Sequence, residues 1–141
     1  MKFITKSETE THALAEKIAR TLSGGEAILL SGTLGAGKTT FTKGLAKALG
    51  VQKTVVSPTF TIIKEYQGTS LMLYHIDMYR IEDEDEIYEL GIEELYQKDS
   101  VTVIEWNKME ELPEKVIRIN ISVISESERE WEVEGIEGLN Y

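Results

Sequence analysis

The sequence predicts an α/β fold in a single domain spanning residues 1–141, with a mixed parallel and antiparallel sheet flanked by helices. Three observations point there. Residues 32–39 read Gly-Thr-Leu-Gly-Ala-Gly-Lys-Thr, a complete Gly-x-x-x-x-Gly-Lys-Thr phosphate loop. The short apolar run Ala27-Ile28-Leu29-Leu30-Ser31 precedes it and helical spacing follows over residues 41–49, so strand, loop and helix come in the required order. Later β-rich runs are joined both by helical segments and by hairpin-length turns, which gives a sheet with strands in both directions.

Taken in order, Thr9 or Thr11 can cap a helix over residues 10–22, where Leu14, Ile18 and Leu22 recur at four-residue spacing. Gly24-Gly25 ends it. After the phosphate-loop helix, proline in Ser57-Pro58-Thr59-Phe60 breaks regular structure, and two β-rich runs, 61–66 and 71–76, flank Gln67-Gly68-Thr69-Ser70 as a hairpin. Residues 83–90 read as a helix with an acidic first turn, stopped by Gly91. Val101-Thr102-Val103-Ile104 is another apolar strand, and residues 115–123 and 130–136 are expected as two antiparallel closing strands.

The loop dictates its own chemistry. Gly32, Gly35 and Gly37 allow backbone angles closed to other residues, so successive N–H groups can turn inward as a nest for phosphate oxygens. The helix starting near Lys38 adds its positive N-terminal end. In this P-loop NTPase-like arrangement, Gly35, Ala36, Gly37, Lys38, Thr39 and Thr40 are expected to bind a nucleoside triphosphate. Lys38 reaches the β- and γ-phosphates, the Thr39 hydroxyl takes a Mg²⁺ position, and Thr40 lies on the α-phosphate side.

Composition excludes several other functions. There is no cysteine, hence no disulfide or thiolate chemistry, and no apolar run approaches the ~18 residues of a membrane span. The N-terminus lacks the apolar core of a secretory signal, which points to a soluble, cytoplasmic protein. Charge divides unevenly: residues 1–53 hold eight Lys/Arg against four Asp/Glu, and residues 54–141 hold seven against twenty-one. Eight carboxylates fall between Glu82 and Glu94 with no basic residue among them. Such a surface repels nucleic acid and reads as a solvated face or a docking face for a basic partner.

A phosphate-loop enzyme also needs a carboxylate at the end of a strand beside the loop. Asp77 follows Leu71-Met72-Leu73-Tyr74-His75-Ile76, Glu105 follows Val101-Thr102-Val103-Ile104, and spacing alone does not rank them. Both are expected near the γ-phosphate, one serving the metal and the other the attacking water. Ser57 and Thr59 flank a proline and can close on the γ-phosphate. His75 reads as a packed or hydrogen-bonded core histidine, Tyr79 and Arg80 can cluster with Asp77, and Trp106 fills a core gap or shields Glu105 at a rim. Asn107-Lys108-Met109-Glu110 is similar to the guanine-reading Asn-Lys-x-Asp, but its last residue is Glu and no Asp-x-x-Gly occurs, which favours ATP over GTP.

Together these residues resemble the TsaE family, also called YjeE, small ATPases of transfer-RNA threonylcarbamoyladenosine modification. The resemblance covers nearly the whole chain. It rests on Gly-Thr-Leu-Gly-Ala-Gly-Lys-Thr-Thr at 32–40, Ser57-Pro58-Thr59-Phe60-Thr61, His75-Ile76-Asp77-Met78-Tyr79-Arg80, Glu89-Leu90-Gly91-Ile92 and Ile104-Glu105-Trp106. It implies Mg²⁺ on Thr39 and Glu105, a hydrolysis-linked switch at Asp77, Thr11 near the base and Arg129 in the nucleotide site. Thr33 departs from the acidic residue often found after the first loop glycine, and Asn107 from the proline or small residue that often follows Glu-Trp.

What the resemblance implies for function is an Mg²⁺-dependent ATPase, weak alone, that acts as a nucleotide switch on the TsaB and TsaD proteins and meets tRNA only through them. The alternatives are a P-loop kinase and a nucleotide-sensing module whose hydrolysis is incidental.

Overall fold

The computed structural model describes residues 1–33, 35–56 and 63–136, apart from the Glu84 side chain. Elements run in the order β1 (Lys2–Thr5), α1 (Glu8–Ala19), β2 (Ala27–Ser31), α2 (Lys38–Ala48), β3 (Ile63–Gln67), β4 (Met72–Asp77), α3 (Glu84–Glu89), a 3-10 turn (Ile92–Leu95), β5 (Ser100–Glu105), β6 (Val116–Val123) and β7 (Arg129–Glu134). The strands form one sheet ordered β1-β7-β6-β2-β5-β4-β3. β2 runs parallel to β5 and β6, and β4 runs parallel to β5. β3–β4, β6–β7 and β1–β7 are antiparallel, so the sheet is mixed, as predicted.

Side-chain pattern explains the placement. The central strands β2 and β5 are apolar on consecutive residues because both their faces are covered. β6 and β7 instead alternate, burying Ile117, Ile119, Ile121, Trp131 and Val133 while Arg118, Asn120, Glu132 and Glu134 face outward. One face packs under α1 and α2 through Leu14, Ile18, Phe41 and Leu45 against Ile28, Leu30, Val103 and Ile119. The opposite face of β2, β4 and β5 is closed by Ile81, Ile87, Ile92 and Met109 on Leu29, Ile76 and Ile104.

Three local features differ from expectation. Ser7, not Thr9 or Thr11, caps α1: its hydroxyl accepts the Glu10 N–H at 3.1 Å, while the Glu10 carboxylate accepts the Lys6 N–H at 2.9 Å. The helix also ends earlier, because Thr21 and Leu22 tighten onto Ile18 and Ala19 before the glycine pair. β1, a strand not expected from the sequence, forms the sheet edge on β7, with Lys2 opposite Glu132 and Thr5 opposite Arg129. Other boundaries lie within a few residues of those predicted; residues 61 and 62 of the expected hairpin lie outside the described residues.

Thr11 is turned inward because it has a partner there. Its hydroxyl lies 3.0 Å from the Thr5 hydroxyl, which accepts the indole N–H of fully buried Trp131 at 2.8 Å. Strand β1 is thereby tied to α1 and β7. Thr5→Val keeps the shape and removes the acceptor, leaving the Trp131 N–H buried and unpaired. Urea unfolding should show a loss of about 1–3 kcal/mol, largely restored in Thr5→Ser. Unchanged stability in Thr5→Val would contradict this role.

Candidate functional site

The phosphate loop leaves β2 at Ser31 and enters α2 at Lys38. Gly37 caps α2 with φ 114° and ψ 15°, a left-handed conformation that lets the chain turn directly into the helix. Gly32 is required for a different reason: a Cβ there would sit 2.9 Å from the Ile121 carbonyl oxygen and 3.2 Å from the Ile121 Cβ. The loop therefore lies directly against β6. Ala36 is fully buried; its N–H donates to the Thr33 carbonyl at 3.0 Å, and its own carbonyl accepts Arg129 Nε at 2.9 Å. Arg129 also donates to the Ser125 and Glu128 carbonyls, which ties the loop to the β6–β7 turn.

Lys38 is a buried cation, and its surroundings supply partners. Nζ donates to the Gly32 carbonyl at 3.0 Å, lies 3.7 Å from Glu105 Oε1 and stands 4.3 Å above the Trp106 ring. The other oxygen of Glu105, Oε2, is 2.5 Å from Nε2 of His75, a fully buried residue. Lys38, Glu105 and His75 thus form one connected buried polar row. It runs from the first turn of α2 across the C-terminal ends of β5 and β4.

Trp106 occupies the rim position, with 37% of its surface exposed, φ 56° and the Tyr79 ring packed edge-on at 5.2 Å. It covers the cation rather than filling the core. Asn107 Oδ1 accepts the Met109 N–H, and Lys108 donates to the Tyr79 and Ile81 carbonyls. The polar side chains of the Asn-Lys pair are thus committed to local backbone.

Among the described residues, two cavities flank the loop. One, of about 360 Å³, is lined by Thr5, Thr11, Gly35, Gly37, Thr40 and Arg129 among others. The second, of about 560 Å³, lies on the Lys38 side and is lined by Gly32, Lys38, Tyr79, Trp106, Lys108 and Arg118 among others. The structure therefore gathers Thr11, Gly35, Gly37, Thr40 and Arg129 around one cavity and joins Lys38 to Glu105 beside the other. Thr39 occupies the second position of α2. Asp77 pairs with Glu105 in the β4–β5 register, and its Oδ1 accepts the Tyr79 N–H at 2.8 Å. Ser57 and Thr59 lie outside the described residues.

Thr5 lines the first cavity without having been singled out from sequence. Its only signal is position: it is the last residue of a short edge strand whose partner, β7, is more than 120 residues away.

A sequence model of the family described as "Threonylcarbamoyl adenosine biosynthesis protein TsaE" matches residues 5–131. The chain is 46% identical over 132 residues to the Bacillus subtilis (strain 168) "tRNA threonylcarbamoyladenosine biosynthesis protein TsaE", covering 92% of this chain and 82% of that protein. The Treponema pallidum protein of the same description is 38% identical, with coverage of 92% and 97%. Among solved structures, the crystal structure of Bacillus subtilis YdiB is similar with a TM-score of 0.76 at 40% identity, covering 93% of this chain and 82% of that one.

The contact at Gly32 predicts a stability effect. Gly32→Ala drives a Cβ into a strand carbonyl that cannot step aside without disturbing β6, and should cost about 1–3 kcal/mol in urea unfolding. A variant as stable as the parent would show that the loop does not pack on β6 in this way.

Proposed function

This chain belongs to the TsaE family, the threonylcarbamoyl adenosine biosynthesis proteins, and from that premise we propose that it is an Mg²⁺-dependent ATPase acting as a nucleotide switch on the TsaB-TsaD pair during tRNA modification. The observation that carries the proposal is the buried Lys38–Glu105 pair at the entry of α2. A cation and a carboxylate held at the mouth of a glycine loop are the two groups that a metal-bound triphosphate requires: one for phosphate oxygens, one for the metal.

The residues present fit both groups. Lys38 is held in part by the Gly32 carbonyl, a partner that phosphate oxygens can replace with full opposite charge. The N-terminus of α2 faces the same point, and an eleven-residue helix is long enough to present a substantial dipole. Thr39 and Glu105 would hold Mg²⁺, which when bound neutralises charge on the β- and γ-phosphate oxygens. The cavity bordered by Thr11, Thr40 and Arg129 would take the nucleoside end. ATP is preferred to GTP because the Asn107 and Lys108 side chains already serve the backbone at Met109, Tyr79 and Ile81.

In hydrolysis the transition state carries its charge on the γ-phosphoryl oxygens, where loop N–H groups and Lys38 stabilise it. Asp77, one strand over from Glu105 at the same level, is the group proposed to orient the attacking water and to couple hydrolysis to a change of state. The net charge of −10 opposes direct binding of tRNA and agrees with contact through partners.

Steady-state hydrolysis of ATP by the purified protein, alone and with its matching TsaB and TsaD, tests the reading. The rate should be low alone, rise with the partners, and fall about a hundredfold or more in Lys38→Ala. A rate indifferent to both the partners and the Lys38 substitution would refute it.

A further inference from the structure

The buried row has a member for which phosphate-loop chemistry has no use. His75 sits on β4 with its side chain fully enclosed, on the same sheet face as Glu105, two residues along in the parallel β4–β5 register. Its Nε2 is 2.5 Å from Glu105 Oε2, whereas its Nδ1 is buried without a hydrogen-bond partner among the described residues. That asymmetry fixes the proton. A hydrogen on Nδ1 would be a buried donor facing no acceptor, whereas a hydrogen on Nε2 is met by a carboxylate oxygen. The ring is therefore the Nε2–H tautomer, donating to Glu105.

We propose that His75 is a positioning residue that pins Glu105 through Oε2, so that only Oε1 is presented to the phosphate loop. In the structure Oε1 faces the Lys38 ammonium at 3.7 Å. A carboxylate at the end of a buried strand can otherwise turn about its side-chain torsions and offer either oxygen, or neither, to the loop. With Oε2 tied down, drawing Lys38 toward phosphate oxygens uncovers one oxygen in one orientation. Binding of nucleotide and of metal would then be coupled through these residues: Lys38 would leave Oε1 for phosphate oxygens, and Oε1, freed of its cation, would be left to hold the metal. The hydrogen bond stands on geometry alone; its consequence for the metal rests on the Mg²⁺-ATP reading above.

Two measurements on the full chain test this. The first is the ring ¹⁵N–¹H correlation of the ligand-free protein, in which His12 is the only other histidine and is removed by His12→Gln for assignment. His75 should show a protonated Nε2 and a bare Nδ1, with the Nε2–H signal moved in Glu105→Gln. A ring protonated on Nδ1 would overturn the proposal. The second is the ATP affinity in Mg²⁺ and in EDTA for the parent, His75→Gln, His75→Asn and His75→Leu.

Glutamine places a donor where Nε2 stands, asparagine is too short to reach, and leucine has none. Affinity in EDTA should stay within about twofold across the set. The gain from Mg²⁺ should be kept in His75→Gln and cut about tenfold in the Asn and Leu variants, the scale on which loss of a group that orients a metal ligand is felt. If His75→Leu does not fold, the Gln and Asn pair decides. An equal Mg²⁺ gain in Gln and Asn variants would overturn the positioning role. A parent protein with no Mg²⁺ gain would instead overturn the Mg²⁺ reading, with the ring correlation still deciding the His75–Glu105 bond.

Discussion

The parallel register of β2, β5 and β4 sets where both carboxylates of the site stand. Leu30 pairs with Glu105 and Asp77 pairs with the same residue from the other side. Both carboxylates therefore end their strands at the level where β2 hands over to the phosphate loop. A slip of one residue in β5 would turn Glu105 to the opposite face, toward the Ile76 and Ile104 layer, and leave Lys38 buried without a counter-charge. Register of this kind is well specified here because β2 and β5 are covered on both faces, so their apolar residues tolerate no exchange with solvent.

Burying an ammonium and a carboxylate together is costly, and the surrounding geometry shows how that cost is limited. Each charged side chain has more than one partner: Lys38 has a carbonyl, a carboxylate and an indole face, and Glu105 has Lys38 on one oxygen and His75 on the other. Such a row does little for stability compared with an apolar core of equal volume, so its presence at the loop is better understood as preorganisation. Arg129 performs a related task from outside. By binding the Ala36 carbonyl it holds the loop in place, so loop shape depends on β7 as well as on its own glycines.

Much of this was legible in the sequence because the deciding information was local. The phosphate loop, the apolar strand before it, the acidic start of α3 and the alternation in β6 and β7 all show in runs of a few residues. His75 is buried and hydrogen-bonded, as its context indicated. β1 was not legible: Lys2-Phe3-Ile4-Thr5 is only four residues long, and its partner β7 follows more than 120 residues later. The cap of α1 was legible, since Ser7-Glu8-Thr9-Glu10 carries the Ser-x-x-Glu spacing of a capping box, whereas the inward turn of Thr11 onto Thr5 and Trp131 follows from contacts that no local rule connects. The position of Trp106 at the rim depends on the fold of the 106–109 loop, and a tryptophan after a strand-end glutamate does not reveal it.

The proposed nucleotide and metal site centres on the Lys38–Glu105 pair. A crystal structure with a non-hydrolysable ATP analogue and Mg²⁺ tests it most directly. Lys38 Nζ should be displaced from the Gly32 carbonyl onto phosphate oxygens, with Glu105 Oε1 holding the metal and His75 still bonded to Oε2. A nucleotide bound with Lys38 still on Gly32 and Glu105, or bound away from the loop, would contradict it.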